Sequence, residues 1–114
     1  MLARELRLRR RSDFGRLYRQ GQTVHARTFS LRYDTNQLNH PRLAVVVSTK
    51  VSKSAVVRNR LRRRFYAQLR EIIPELTPDH DVVVLVRHQA IDQSSQDIGL
   101  DLRKALTHAN LLKL

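Results

Sequence analysis

The densest chemistry-bearing stretch is a run of eight cations between residues 50 and 70, a range that contains no Asp or Glu. These cations are Lys50, Lys53, Arg58, Arg60, Arg62, Arg63, Arg64 and Arg70. A solvated helix face normally mixes both signs, because like charges one turn apart repel each other. Arginine outnumbers lysine here, and its planar guanidinium suits phosphate oxygens and base edges. The run therefore predicts an external polyanion, and nucleic acid is the expected one.

Four of the six aromatic side chains lie in the first third of the chain, beside arginines: Phe14, Tyr18, Phe29 and Tyr33. Rings next to cations can hold a single-stranded nucleic acid, since bases stack on the rings while the cations contact phosphates. Phe29 and Tyr33 alternate with Leu31, which favours the core for both. Phe14 and Tyr18 are one helical turn apart, and the pattern leaves open whether they face a ligand or the core.

The opposite face of the same alternating segment is polar. Thr28, Ser30 and Arg32 occupy it, and Ser48 follows the next apolar segment. These side chains predict a polar floor beside the two rings of the first helix. A groove of this kind suits an extended single strand better than a duplex.

No residue pattern predicts covalent catalysis. The chain has no cysteine, and its five histidines are scattered without metal-ligand spacing: His25, His40, His80, His88 and His108. Asp97 and Asp101 share a helix face and could hold a divalent cation or act as an acid–base pair. The alternative is that they stabilise the positive end of that helix, which we favour.

Composition sets the class of protein. With 114 residues and 41% hydrophobic residues the chain predicts one folded domain over residues 1–114, with residues 1–7 possibly disordered. The net charge of +12 is uneven: residues 1–70 hold 18 Lys and Arg against 3 acids, and residues 71–114 hold 4 against 7. The longest apolar run, Val82–Val86, is too short to span a bilayer. We expect a cytoplasmic protein, monomeric when free and without a membrane partner.

Hydrophobic periodicity predicts the elements that position these residues. A helix spans Ser12 to Gln20, and strands span Val24 to Tyr33 and Leu43 to Ser48, paired as an antiparallel hairpin. Ser52 or Ser54 caps a long amphipathic helix that ends before Pro74.

The last third of the chain predicts a strand and a helix. The continuous apolar run Val82–Val86 indicates a strand covered on both faces. Ser94 and Asp97 resemble a capping box that starts a C-terminal helix. The fold class is therefore α+β, a two-layer sandwich in the order α-β-β-(β)-α-β-α with one optional strand.

One segment resembles a known family. Residues 53–63, KSAVVRNRLRR, are similar to the signature of the protein subunit of bacterial ribonuclease P, Ala-Val-x-Arg-Asn-Arg-x-Lys/Arg-Arg. Leu8 to Gly21, the segment from Ser48 to Lys50, and Asp81 to Arg87 match the family in order and spacing. The resemblance implies a central sheet with a left-handed βαβ crossover, which is rare among proteins.

The resemblance also implies a function. The RNA subunit would perform the Mg²⁺-dependent removal of the 5′ leader from precursor tRNA, with Mg²⁺ held mainly by RNA and none bound tightly by the protein. The protein would be an accessory subunit with no catalytic residue. The residues implied to contact the RNA subunit are Lys53, Arg58, Asn59, Arg60, Arg62, Arg63 and Arg64. Those implied to contact the leader are Arg11, Phe14, Tyr18, Ser30, Arg32, Ser48 and Lys50.

Two positions depart from the family pattern. Ser52 replaces the usual Gly, which would strain the loop if that position needs a positive φ. Tyr66 and Ala67 replace a common Arg-Glu pair.

Other classes of protein share the charge and the size. A small ribosomal protein would bind structured RNA without a single-strand cleft. A DNA-binding regulator would need a partner for the basic helix, and the apolar stripe of that helix indicates a sheet beneath it instead. A nuclease acting alone lacks the acid–base and metal residues.

Overall fold

The computed structural model describes residues 2–113, so that Met1 and Leu114, the ends of the predicted domain, lie outside it. The element order is α1 (Arg11–Gln20), β1 (Gln22–His25), β2 (Phe29–Thr35), β3 (Arg42–Val46), α2 (Ala55–Ile72), β4 (His80–Val86) and α3 (Ser95–His108). Short 3-10 turns occupy Arg4–Leu6, Ile73–Glu75 and His88–Ala90. The predicted α+β class is confirmed, and the optional strand is present.

The four strands form one sheet in the order β1-β2-β4-β3. Strand β4 is antiparallel to β2 and parallel to β3, so α2 connects two adjacent parallel strands. The predicted hairpin between the second and third strands is wrong. The reason is that β4, being apolar on both faces, takes the central position and separates β2 from β3. The left-handed sense of the crossover stays a prediction.

The single strand predicted from Val24 to Tyr33 is two strands. A turn reverses the chain after His25, and the Ala26 amide donates to the Phe29 carbonyl at 2.9 Å. His25 then pairs with Ser30 across the β1–β2 ladder. The apolar alternation changes phase at this turn, from even positions at Val24 and Ala26 to odd positions from Phe29 onward, and this shift is the signal in the sequence that marks the break.

Both faces of the sheet bury apolar side chains. The main core lies between one face and helices α2 and α3, and it includes Phe29, Leu31 and Phe65, each fully buried. The second face carries a smaller cluster, in which Leu17 of α1 and Val83 of β4 are fully buried. Helix α1 is therefore held against the face opposite α2.

Both predicted serine caps are confirmed. The Ser54 hydroxyl accepts a hydrogen bond from the Val57 amide at 3.3 Å, and the Ser94 hydroxyl accepts one from the Asp97 amide at 3.1 Å. Each bond satisfies a backbone donor that has no partner within its helix. The cap of α2 fixes where the cationic helix begins.

Candidate nucleic-acid interface

Helix α2 separates its apolar and cationic residues around its axis. Leu61, Phe65 and Leu69 recur every four residues, and all three are buried against the sheet. The remaining surface of the first half of the helix carries the cations, and Arg60 and Arg63 are exposed. The predicted cationic face is therefore presented to solvent.

The seven residues predicted to contact the RNA subunit do not all point outward freely. Lys53, Asn59, Arg60 and Arg63 are exposed, and Arg62 is half-buried. Arg62 Nη1 donates to Asn59 Oδ1 at 3.3 Å, so the amide orients this guanidinium.

Two of these seven residues form hydrogen bonds with the backbone of other segments. Arg58 Nη1 donates to the Ser52 carbonyl at 2.9 Å, and Arg64 Nη1 donates to the Gln93 carbonyl at 3.1 Å. Arg58 thereby ties the loop before α2 to the helix, and Arg64 ties the segment before α3. A guanidinium has five donors, so each retains N–H groups beyond those used here.

The two rings of α1 lie together at the edge of the second face. The ring centroids of Phe14 and Tyr18 are 6.3 Å apart. Tyr18 is 48% exposed, whereas Phe14 is half-buried and packs against the second cluster. Val46 and Leu85, partly exposed on adjacent strands, pack against the same cluster. These four side chains form a partly exposed aromatic and apolar surface on the face of the sheet that carries α1, and we call this surface the cleft.

The predicted polar floor is largely absent from this cleft. Thr28 and Ser30 are buried, and Ser30 Oγ accepts from Arg87 Nη2 at 2.7 Å. Arg32 donates through Nη2 to the carbonyls of Leu17 and Tyr18 at 2.7 and 2.6 Å. The expectation of an open polar surface at these positions is wrong, because Thr28 is buried, Ser30 is bonded by Arg87, and the Arg32 guanidinium is used by the last turn of α1.

The other residues predicted for the leader are exposed on the elements that carry the cleft residues or directly follow them. Ser48 and Lys50 are exposed in the loop between β3 and α2. This loop leads directly to Lys53 and the start of the cationic helix, so it connects the two predicted surfaces. Arg11 is exposed in the first turn of α1.

Asp81 forms a buried charged cluster beneath α1. Its carboxylate accepts two hydrogen bonds from Arg42, at 2.9 and 2.7 Å, and one from Asn36 Nδ2 at 2.9 Å. Arg16 of α1 donates to the same carboxylate. Arg42 also contacts Asp13 at 3.2 Å, which ties the first turn of α1 to the sheet. Arg16, which lies between Phe14 and Tyr18 in the sequence, thus positions the helix.

The hydrogen bonds to Asp81 raise the pKa of Arg42, against the smaller opposing effect of its burial. A raised pKa in the folded state means that the contact stabilises the fold at every pH below the unfolded value. Its contribution is lost only as the pH rises through the strongly alkaline folded value.

Two residues of the cleft were missed by sequence reasoning: Val46 and Leu85. Both fall within continuous apolar runs, where the pattern assigns every residue to the core. Only the pairing of β4 between β2 and β3 shows that they share a partly open face. Side chains alternate between the two faces of a strand, so Leu85 lies on the face opposite to Val84 and Val86. This alternation is the one signal in the sequence that could have placed Leu85 on the cleft face.

The two departures from the family pattern have structural explanations. The described residues with a positive φ are Gln37 and Asn110, so Ser52 adopts a backbone that needs no glycine. Tyr66 accepts a hydrogen bond at its hydroxyl from the Val45 amide at 3.1 Å, on strand β3 at the edge of the sheet. Tyr66 therefore satisfies a backbone donor of the edge strand.

The carboxylates and histidines do not assemble into a site. Within residues 2–113 no three His, Asp or Glu side chains lie close enough together to hold a metal ion. Asp101 accepts a hydrogen bond from Gln93 Nε2 at 2.6 Å, and Asp97 lies exposed in the first turn of α3. Across the same described range, none of the helices has the length and apolarity needed to cross a membrane.

Comparison with known proteins gives one consistent result. The family model described as Ribonuclease P matches residues 2–110. A ribonuclease P protein component from Pseudanabaena sp. is 38% identical, over 98% of this chain and 97% of the relative. One from Cyanothece sp. is 36% identical, over 98% of each.

Solved structures agree with this match. The Staphylococcus aureus RNase P protein superposes with a TM-score of 0.85 at 28% identity, covering 95% of this chain and 98% of the other. The RNase P protein from Thermotoga maritima, at 24% identity, shares the fold with a TM-score of 0.81 over 90% and 96% of the two chains.

Proposed function

The chain belongs to the ribonuclease P protein family, and from this premise we propose that it is the protein subunit of a ribonucleoprotein that removes the 5′ leader of precursor tRNA. The observation that carries the proposal is the pairing of two surfaces on one sheet. A cationic helix covers one face, and the partly exposed rings of α1 lie with Val46 and Leu85 on the other. The protein would bind the RNA subunit with the first and the leader with the second.

The exposed cations of α2 support RNA-subunit binding. Arg60, Arg63 and Lys53 project into solvent, and Asn59 orients Arg62 beside them. Several phosphate contacts by such cations release counterions, which makes RNA binding tight at low salt and strongly salt-dependent. The apolar stripe beneath keeps the helix on the sheet, so the cations meet the RNA in a fixed arrangement.

The cleft supports binding of the unpaired leader. Tyr18 offers an exposed ring, and Phe14 lies beside it with Val46 and Leu85 as the floor. Bases stack on rings and apolar side chains without regard to sequence, at about 1–3 kcal/mol per base. Ser48 and Lys50, where the cleft approaches the α2 loop, would contact the leader backbone. This arrangement suits a leader whose sequence varies between precursor tRNAs.

In this proposal the RNA subunit performs the hydrolysis and holds most of the Mg²⁺ through its phosphates. The protein positions the substrate and contributes positive charge near the RNA. It acts in the cytoplasm as a monomer bound to one RNA subunit. Mature tRNA lacks the leader, so the protein favours precursor over product.

A reconstitution tests the function directly. Precursor tRNA is incubated at low Mg²⁺ with the protein alone, with a bacterial ribonuclease P RNA alone, and with both. We expect efficient cleavage at the leader junction only with both, because the cations of the protein reduce the Mg²⁺ needed for RNA folding and substrate binding. Cleavage by the protein alone would refute the assignment of catalysis to the RNA.

A matched pair of variants controls for net charge. Arg60→Ala with Arg63→Ala removes two exposed cations of α2, and Lys104→Ala with Lys113→Ala removes two exposed cations outside both surfaces. The first pair is expected to weaken RNA-subunit binding and the second to leave it nearly unchanged. If precursor and mature tRNA bind the complex equally well, the chain is a structural RNA-binding protein instead, such as a ribosomal protein.

A further inference from the structure

A second cation-rich surface lies outside α2, in the segment that leads into α1. Residues 2–10 and the loop between β2 and β3 enclose a shallow cavity of about 500 Å³. Arg4, Arg7, Arg9 and Arg10 line it, and we call these four residues the N-terminal arginine surface. It lies beside Arg42 at the start of β3, whereas the α2 loop leaves from the other end of that strand.

The segment that carries these arginines is anchored at two points. Leu2 is 3% exposed within the main core, and Leu8 is 3% exposed within the second cluster. The Leu8 amide donates to the Leu43 carbonyl at 2.9 Å, which adds the segment to the edge of β3. Arg7 Nε donates to the Leu2 carbonyl at 2.9 Å. Cations on an anchored backbone lose less conformational entropy on binding than cations on a free tail.

The charge of this surface is not neutralised within the fold. Among the described residues, no carboxylate lies within ion-pair distance of Arg4, Arg9 or Arg10, and all three are exposed. Glu5 is the one carboxylate that lines the cavity. Arg42, by contrast, is paired with Asp81 and Asp13. Several unpaired arginines held close together favour an external anion.

The lining also indicates which part of a nucleic acid fits. The lining residues include no Phe, Tyr or Trp, and their one ring, that of His40, is half-buried with Nδ1 3.2 Å from the Pro41 carbonyl oxygen, so the cavity offers unpaired bases less stacking surface than the cleft does. Clustered guanidinium groups recognise phosphates by charge and hydrogen bonding, as proteins do on helical RNA. The cleft, with two rings, has the opposite character.

We propose that the N-terminal arginine surface is a third RNA-binding site, which takes the phosphate backbone of a helical RNA segment. It rests on the proposed function only in the choice of RNA as the polyanion. Its location at the N-terminal end of β3 would let the protein contact structured RNA at the end of the strand opposite to the α2 loop. The contact depends on shape and charge and not on sequence.

The test uses the full chain with two probes: a blunt 20-base-pair RNA duplex and a single-stranded 20-mer of uridine. The variant is Arg4→Ala with Arg9→Ala and Arg10→Ala; Arg7 is kept because it hydrogen-bonds Leu2. The control removes equal charge elsewhere, through Arg27→Ala with Lys104→Ala and Lys113→Ala. Each Kd is measured between 50 and 200 mM salt, and circular dichroism checks that both variants are folded.

For the duplex, the slope of log Kd against log salt is expected to fall by roughly 2 to 3 in the N-terminal variant and by less than about 1 in the control. The uridine strand should be affected less than the duplex. Equal losses in variant and control, an unchanged duplex slope, or a loss confined to the single strand would each overturn the proposal. If the duplex slope falls as expected but the RNA–protein complex binds precursor and mature tRNA equally well, the proposed leader binding is refuted and the proposed N-terminal site is retained.

Discussion

Phe14 and Tyr18 lie one turn apart, yet substitution of each should have a different effect. Tyr18 is 48% exposed, so Tyr18→Ala should weaken precursor tRNA binding to the RNA–protein complex by about 1–3 kcal/mol and leave the melting temperature nearly unchanged. Phe14 packs on the second cluster, so Phe14→Ala should also destabilise the protein, by about 1–3 kcal/mol. Affinity for precursor and mature tRNA is measured alongside thermal unfolding of each variant.

Tyr18→Phe provides the matched control for this pair. It keeps the ring and removes only the hydroxyl, so precursor affinity should stay close to that of the unaltered protein. If Tyr18→Ala weakens precursor and mature tRNA equally, the ring does not contact the leader.

The arginines of α2 should separate into two groups by experiment. Arg60→Ala removes an exposed cation and should lower the salt dependence of RNA-subunit binding by roughly 1, with no loss of stability. Arg64→Ala removes the hydrogen bond to the Gln93 carbonyl and should lower the melting temperature.

Asn59→Ala removes the amide that orients Arg62 and should weaken RNA-subunit binding without changing its salt slope. A changed slope in Asn59→Ala would contradict this positioning role.

At the scale of elements, α1 is held in its last turn and in its middle by charged groups of the sheet. Arg32 contacts the carbonyls of Leu17 and Tyr18 in its last turn, and Asp81 contacts Arg16 in its middle. Cations near a helix C-terminus also interact favourably with the helix dipole. Both contacts fix the helix that carries the cleft rings, so residues outside the cleft control its shape.

Arg32→Met tests this clamp. It keeps much of the side-chain length and removes the donors, which should destabilise the protein by roughly 1.5–3 kcal/mol because charged hydrogen bonds are lost. Precursor affinity should fall while mature tRNA affinity is retained, since the cleft rings shift. Thermal unfolding and the two affinities are the measurements. A loss of precursor affinity at full stability would instead indicate a direct contact between Arg32 and the leader.

Asp81→Asn tests the buried cluster. The amide cannot neutralise Arg16 and Arg42, and removing one partner of a buried ion pair costs about 3–5 kcal/mol. The two arginine side chains are 26% and 19% exposed, so we expect a loss near the lower end of that range. Chemical denaturation gives the value. Asp34→Asn, which removes a partly exposed carboxylate 3.5 Å from Arg16, should cost much less.

At the scale of the whole molecule, the net charge of +12 makes the free protein repel itself. Salt screens this repulsion over distances beyond about 10 Å at 0.1 M. The melting temperature of the free protein should therefore rise by several degrees, on the order of 1 kcal/mol of stability, between 20 and 200 mM sodium chloride. Scanning calorimetry measures the change. A melting temperature that falls with salt would mean that attractive ion pairs outweigh the repulsion.

The sequence by itself determined the features that depend on neighbours along the chain. The four-residue spacing of Leu61, Phe65 and Leu69 predicted α2, and Ser54 and Ser94 predicted two helix starts correctly. The signature at residues 53–63 indicated the family that the comparisons confirm. Periodicity and capping are local, because they act within one or two helical turns.

Only the tertiary structure decided which groups are free to bind. The sheet order places β4 between β2 and β3, and this brings Val46 and Leu85 into the cleft. It also buries Ser30 and uses the Arg32 guanidinium to hold the end of α1. In any alternating strand, a serine and an arginine at the positions of Ser30 and Arg32 would predict a polar, solvent-facing surface. Whether a polar group meets solvent or an internal partner depends on contacts between residues far apart in sequence, and no local pattern contains that information.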